Sequence, residues 1–150
     1  MAIPRIPVDT GGRVRRIVVA YDGSESSARA VRFALGASMG EGVEVWIVHA
    51  TDPPQTIAEP RTDEEQGSES GAIEQGLRAI QSAVDPAGNR VHVWVREGKA
   101  AGVILSAAIE VDADMIVVGT RGLRGAGRIL LGSVSSEVLN HSGRPVTVVP

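Results

Sequence analysis

Arg16-Ile17-Val18-Val19-Ala20 runs directly into Tyr21-Asp22-Gly23-Ser24 and from there into Ser24–Met39, where Ala28, Val31, Ala34, Leu35 and Ser38 recur at three- and four-residue spacing. A short β-branched run reads as a strand, Asp-Gly-Ser as turn chemistry and a helix start, and the spaced apolar residues as one helix face. The same unit repeats along the chain. Val43–Val48 (VEVWIV) predicts a second strand, and Ser68–Val84, with Ile73, Leu77, Ile80 and Val84 in register, a second helix. Val91–Val95 (VHVWV) predicts a third strand whose alternation implies one less buried face. Ala100–Val111 carries Val103, Ile104, Ala107 and Ala108 as a helical stripe. Met115–Val118 (MIVV) and Val146–Val149 (VTVV) read as strands four and five, with a last helix over Ser133–Asn140. Strands alternating with helices predict a parallel sheet covered on both faces, a three-layer α/β/α sandwich with right-handed crossovers. Strands one and four are near-continuous apolar runs, as central parallel strands are.

Composition bounds the chemistry. The 150 residues contain no Cys, which excludes a disulfide framework, thiolate metal ligation and a cysteine nucleophile. At 43% hydrophobic, a chain of this length can bury a core without such staples. The formal net charge is −3 and aromatic residues make up 3%, so neither a global basic field nor a stacking platform for nucleic acid is present. Of the 15 basic residues 14 are Arg, leaving Lys99 as the one candidate for lysine chemistry. The stretch 1–14 has no apolar core and reads as a flexible lead-in to a single domain over 15–150. No apolar run approaches the length of a membrane span, so a cytoplasmic protein without membrane contact is expected.

Two segments interrupt the repeat. Thr51–Gly67 holds three Pro and the acidic residues Asp52, Glu59, Asp63, Glu64 and Glu65 with no apolar face, and is expected to be a long loop. The other is Gly119–Leu131. In an open α/β sheet, ligands bind beyond the carboxyl ends of the strands where the strand order reverses. If strands one and four are neighbours, Ala20-Tyr21-Asp22-Gly23-Ser24 faces Gly119-Thr120-Arg121-Gly122 across one crevice. Gly119 and Gly122 permit a sharp turn and close approach of backbone N–H groups to an anion. Gly132 and Ser133 then open a helix whose first N–H groups favour phosphate, with the Ser133 hydroxyl as donor or cap. Arg121, Arg124 and Arg128 lie between, placed to pair with phosphate oxygens. Taken singly, each of these is ordinary turn, cap or surface chemistry; their joint placement at two strand ends points to a phosphate-bearing ligand.

The spacing Gly119-x2-Gly122-x9-Gly132-Ser133, with VAYDGS after the first strand and GRPVTVV at the end, resembles the universal stress protein family in its ATP-binding branch over about Arg15 to Val149. That resemblance implies a Rossmann-like, five-stranded parallel sheet of order 3-2-1-4-5. It implies ATP as ligand, with or without Mg²⁺, while AMP, ADP and cyclic AMP stay open. Carried over by position, it places Asp22 at the nucleoside end and Ala20 and Tyr21 along the adenine. Ala50 would meet the adenine edge through its backbone, with Gly98 close by. Val118, Gly119, Thr120, Arg121 and Gly122 would pass beneath ribose and phosphates, with Arg124 in the following loop. Gly132, Ser133, Val134 and Ser135 would hold the phosphate tail. It also implies a homodimer through Val146–Val149, which would otherwise be an apolar exposed edge.

The residues favour a binding module over an enzyme. There is no GK[ST] phosphate loop, no carboxylate within Gly119–Ser133 to hold a metal, and no GxSxG elbow. His49, His92 and His141 are far apart without ligand spacing, and His49, at the end of strand two, is expected to brace the adenine loop. The expected function is a nucleotide-dependent stress-response or regulatory module. A slow ATPase or adenylating enzyme, and a dimeric scaffold without nucleotide, are the alternatives.

Overall fold

β-branched runs buried on both faces need helices on both sides of the sheet, and the chain supplies them in strict alternation. The computed structural model describes residues 12–40, 42–51, 63–120 and 131–150, with backbone alone for 63–69. In chain order the elements are β1 (Arg16–Ala20), α1 (Glu25–Ala37), β2 (Glu44–Thr51), α2 (Asp63–Val84), β3 (Val91–Glu97), α3 (Ala100–Glu110), β4 (Met115–Gly119), α4 (Ser133–His141) and β5 (Val146–Val149). The strands form one sheet of order β3-β2-β1-β4-β5, every pair parallel. The α/β sandwich and the order 3-2-1-4-5 are as the sequence implied, with β1 and β4 paired in register Ile17↔Met115 to Val19↔Val117.

Successive strand residues point to opposite faces, so the core divides in two. Ile17, Val19, Val45, Ile47 and Val117 pack with Ala30, Val31 and Ala34 of α1 and Leu77 of α2. Val18, Trp46, Val48, Ile116 and Val118 pack with Ile104 and Ala107 of α3 and Val138 of α4. At the open β3 edge the second cluster is closed by aromatic stacking. Trp46 stacks on His92 at 4.8 Å between centroids, and the Arg96 guanidinium lies 3.9 Å over Trp94 while pairing with Glu110 of α3.

Three expectations need correction. The segment 63–67 is helical, not loop; Asp63, Glu64 and Glu65 occupy the first turn of α2, where the helix dipole favours acidic residues without any apolar face. The rest of the expected loop, 52–62, lies outside the described residues. The buried stripe of α1 runs through Ser27, Ala30, Val31 and Ala34, leaving Ala28 and Leu35 half-buried. On α2, Ile80 and Val84 are exposed, because the inward face continues from Leu77 through Gln81 to Asp85. These two polar groups serve the start of β3. Gln81 donates to the Val91 carbonyl, and the Asp85 carboxylate accepts the N–H groups of Arg90 (2.7 Å) and Val91 (2.9 Å).

Those two N–H groups hold the Asp85 carboxyl below its ordinary value of 3.8. A folded pKa depressed below the unfolded one adds stability that is present above the unfolded value and lost as pH falls through the folded one. Asp85→Ala is therefore expected to melt below the wild type at pH 7. The gap between the two should narrow below about pH 4, which thermal melts at pH 7 and pH 3 will check.

Candidate functional site

The carboxyl ends of β1, β2 and β4 and the N-termini of α1 and α4 surround a cleft of about 470 Å³. Of the residues singled out by sequence, Ala20, Tyr21, Asp22, Ala50, Val118, Gly119, Gly132, Ser133, Val134 and Ser135 line it together. Gly98 and Thr120 do not. Gly98 sits at φ +141 with its N–H on the carbonyl of Thr51, a lining residue, at 2.9 Å. Thr120 is buried and turned to β5, its N–H 2.9 Å from the Val149 carbonyl. Arg121, Gly122 and Arg124, with Arg128, lie outside the described residues.

The cleft has two unlike walls. Ala20, Val48, Ala50, Ile104 and Val118 belong to the core face under α3 and α4 and form an apolar pocket. On the α1 and α2 side the lining turns polar, with Ser26, Ser27, His49, Thr51 and Ser70 around Tyr21 and Ile73. Ser26, Ser27, Ser70, Ile73, Ala100 and Ile104 escaped the sequence reading because they reach the cleft from helices. A residue in a helix stripe carries no sign of standing at the strand ends.

The two helix N-termini are prepared differently. Ser24 caps α1, its Oγ accepting the Ser27 N–H at 3.2 Å, and its own N–H donates to Asp22 Oδ1 at 2.9 Å. Gly23 between them has φ +84, a conformation open to glycine at no steric cost. The α4 cap is Gly132, so Ser133 is the first helical residue and not the cap that its sequence position suggested. Glycine has no side chain to occupy the first N–H groups of α4, which leaves them to an anion, water or the chain itself. Ser135 directs its hydroxyl proton back to the Gly132 carbonyl at 3.0 Å.

Gly119 has a role beyond turning the chain. A Cβ built there would lie 2.5 Å from the Ser26 carbonyl carbon and 2.7 Å from the Ser27 nitrogen. The missing side chain lets the first turn of α1 seat on the end of β4, so the exit of β4 and the α1 N-terminus border the cleft side by side. Among the described residues no cluster of three or more His, Asp or Glu could hold a metal ion, and no helix is long and apolar enough to cross a membrane.

A parallel sheet that reverses its order between β1 and β4, with a cleft at that point faced by helix N-termini, defines the class of α/β nucleotide-binding folds. Within that class the chain belongs to the universal stress protein family, whose profile matches residues 13–150. It is similar to a universal stress protein of Thermus aquaticus, 34% identical over 137 residues that cover 90% of this chain and 98% of the relative. The fold is shared with the universal stress protein UspA of Lactobacillus plantarum, at TM-score 0.77 and 21% identity over 93% of this chain and 99% of that one. A universal stress protein solved in complex with cAMP is 28% identical, with TM-score 0.68 over 91% of this chain and 97% of its own.

Gly119→Ala is expected to destabilise the protein by about 1–3 kcal/mol, because the atoms it would meet are backbone of Ser26 and Ser27 and cannot yield. Gly76→Ala, in the middle of α2 with nothing within 4 Å of the added Cβ, is expected to stabilise by roughly 0.5–1 kcal/mol. Urea unfolding of the pair checks both signs.

Proposed function

We propose that this chain binds an adenine nucleotide in the cleft and acts as a nucleotide-dependent regulatory module of the stress response, with ATP as the ligand and AMP, ADP and cyclic AMP as its competitors. The observation that carries this reading is the combination of surfaces that one cleft brings together. An apolar pocket at Ala20, Val48, Ala50 and Val118 shares the cleft with the Asp22 carboxylate and with the α4 N-terminus at Gly132 and Ser133. A flat apolar base suits the pocket, a ribose hydroxyl can donate to Asp22, and phosphates suit the helix dipole. The negative charge at Asp22 opposes phosphate there, so the ligand has one favoured direction. The relative solved with cAMP supports the reading. Arg121, Gly122 and Arg124 join it on their sequence spacing alone. Asp22, the one carboxylate among the described lining residues, is assigned to the ribose, so a Mg²⁺ ion would take its ligands from phosphate and water.

Calorimetric titration of ligand-stripped protein with ATP, ADP, AMP and cyclic AMP tests the proposal directly. Ser133→Asp sharpens it, because an acid in the first turn favours the helix yet repels phosphate. The variant should keep its melting temperature and bind adenosine as before, while ATP binding weakens about tenfold or more. A wild type that binds none of these nucleotides overturns the proposal.

We further propose a homodimer through β5. This edge strand carries no charge and all four of its residues are half-buried, which is an open template for pairing. In the parallel ladder Pro145 and Val149 direct their carbonyls to β4, so the N–H of Val148 points to the free edge. Val148→Pro is expected to convert a dimer to a monomer in sedimentation equilibrium, and a monomeric wild type would refute the pairing.

A further inference from the structure

The loop leaving β1 is held at more points than a turn requires. His49, 7% exposed, places Nδ1 2.8 Å from the Tyr21 carbonyl oxygen. A carbonyl only accepts, so Nδ1 carries the proton and donates. The Tyr21 N–H in turn donates to the Val48 carbonyl at 2.9 Å. At the other end of the Tyr21–Asp22 peptide, the Asp22 N–H donates to Ser27 Oγ at 3.3 Å, and that hydroxyl donates its own proton to the Ser24 carbonyl at 2.9 Å. The C=O and N–H of one planar trans peptide point in opposite directions, so fixing both fixes the plane. Just beyond it, Asp22 Oδ1 accepts the Ser24 N–H. His49 and Ser27 are both buried, and removing either leaves a backbone group of this loop without that partner.

We propose that His49 and Ser27 are positioning residues that clamp the Tyr21–Asp22 peptide from its two ends, aim the Asp22 carboxylate and thereby set affinity for the nucleoside end of the ligand. The proposal rests on the nucleotide reading of the cleft. It assigns neither residue a contact with the ligand; both act through Asp22.

The test compares wild type, His49→Leu, His49→Asn, Ser27→Ala, Asp22→Ala and the double variant His49→Leu/Asp22→Ala by calorimetric titration with ATP, beside melting temperatures of the ligand-free proteins. Nitrogen NMR of the ligand-free wild type reads the His49 tautomer. The expected results are a proton on Nδ1 and about tenfold weaker binding in His49→Leu and Ser27→Ala. His49→Asn should restore most of the affinity, since its amide donates from near the Nδ1 position. The double variant should bind no worse than Asp22→Ala, because residues acting through one group are not additive. A proton on Nε2, near-wild-type binding in His49→Leu, or losses that multiply in the double variant would overturn the clamp while leaving the nucleotide reading intact. A wild type that binds no adenine nucleotide would remove that reading and the clamp's role with it.

Discussion

The contact between Gly119 and the first turn of α1 is the constraint on which the geometry of the cleft depends. β1 and β4 are hydrogen-bonded neighbours, yet the chain leaves β1 by way of α1, which lies over β4 as well as β1. For that helix to begin where it does, its backbone at Ser26 and Ser27 must pass within 2.5–2.7 Å of where a Cβ on residue 119 would stand. Any side chain there would lift the helix N-terminus away from the strand ends and widen the reversal point. The small buried residues along α1, Ser27, Ala30 and Ala34, extend the same close approach down the sheet.

Because the cleft straddles the top of the sheet, it inherits the difference between the two core faces. Strand residues on the α3 and α4 side end in Ala20, Ala50 and Val118, small or branched apolar groups that leave room above them. Residues of the opposite parity, Tyr21, His49 and Thr51, bring aromatic and polar groups to the α1 and α2 side. The strand alternation that divides the core thus also divides the site.

How much of this was legible follows from which physical signal each residue carries. Strands could be read because β-branched runs buried on both faces leave an unbroken apolar pattern, as in β1 and β4, while their order came from the family resemblance. Residues at the strand exits, from Ala20 to Asp22 and from Val118 to Gly119, could be placed because their position in the chain fixes their position in the fold. Helix faces were read less well. Ile80 and Val84 have the right spacing to be core, but Gln81 and Asp85 take the inward positions to satisfy the backbone at the start of β3, and periodicity cannot foresee a polar group recruited for a hydrogen bond. Gly119 was legible as glycine-requiring, while the reason, the backbone of Ser26 and Ser27 far back in the chain, lay in tertiary structure. The helix begins at Ser133 as read, but Ser133, offered as donor or cap because Ser caps well, is not the cap; that place falls one residue earlier, at Gly132.

That last difference bears on what the cleft is built to hold. Two helices aim their N-termini at one space, and if both were equally open a phosphate could settle at either. They are not equal. At α1, Ser24 takes the Ser27 N–H, and the Asp22 carboxylate takes the Ser24 N–H and offsets the positive end of the dipole. At α4 the cap is Gly132, which has no side chain to offer the first N–H groups of its helix, and the Ser133 hydroxyl follows within the first turn. A ligand with a neutral, hydroxyl-bearing end and an anionic end therefore meets different fields at the two helix N-termini. On the proposed reading, orientation follows from which helix has a side-chain cap and which has a glycine in that place.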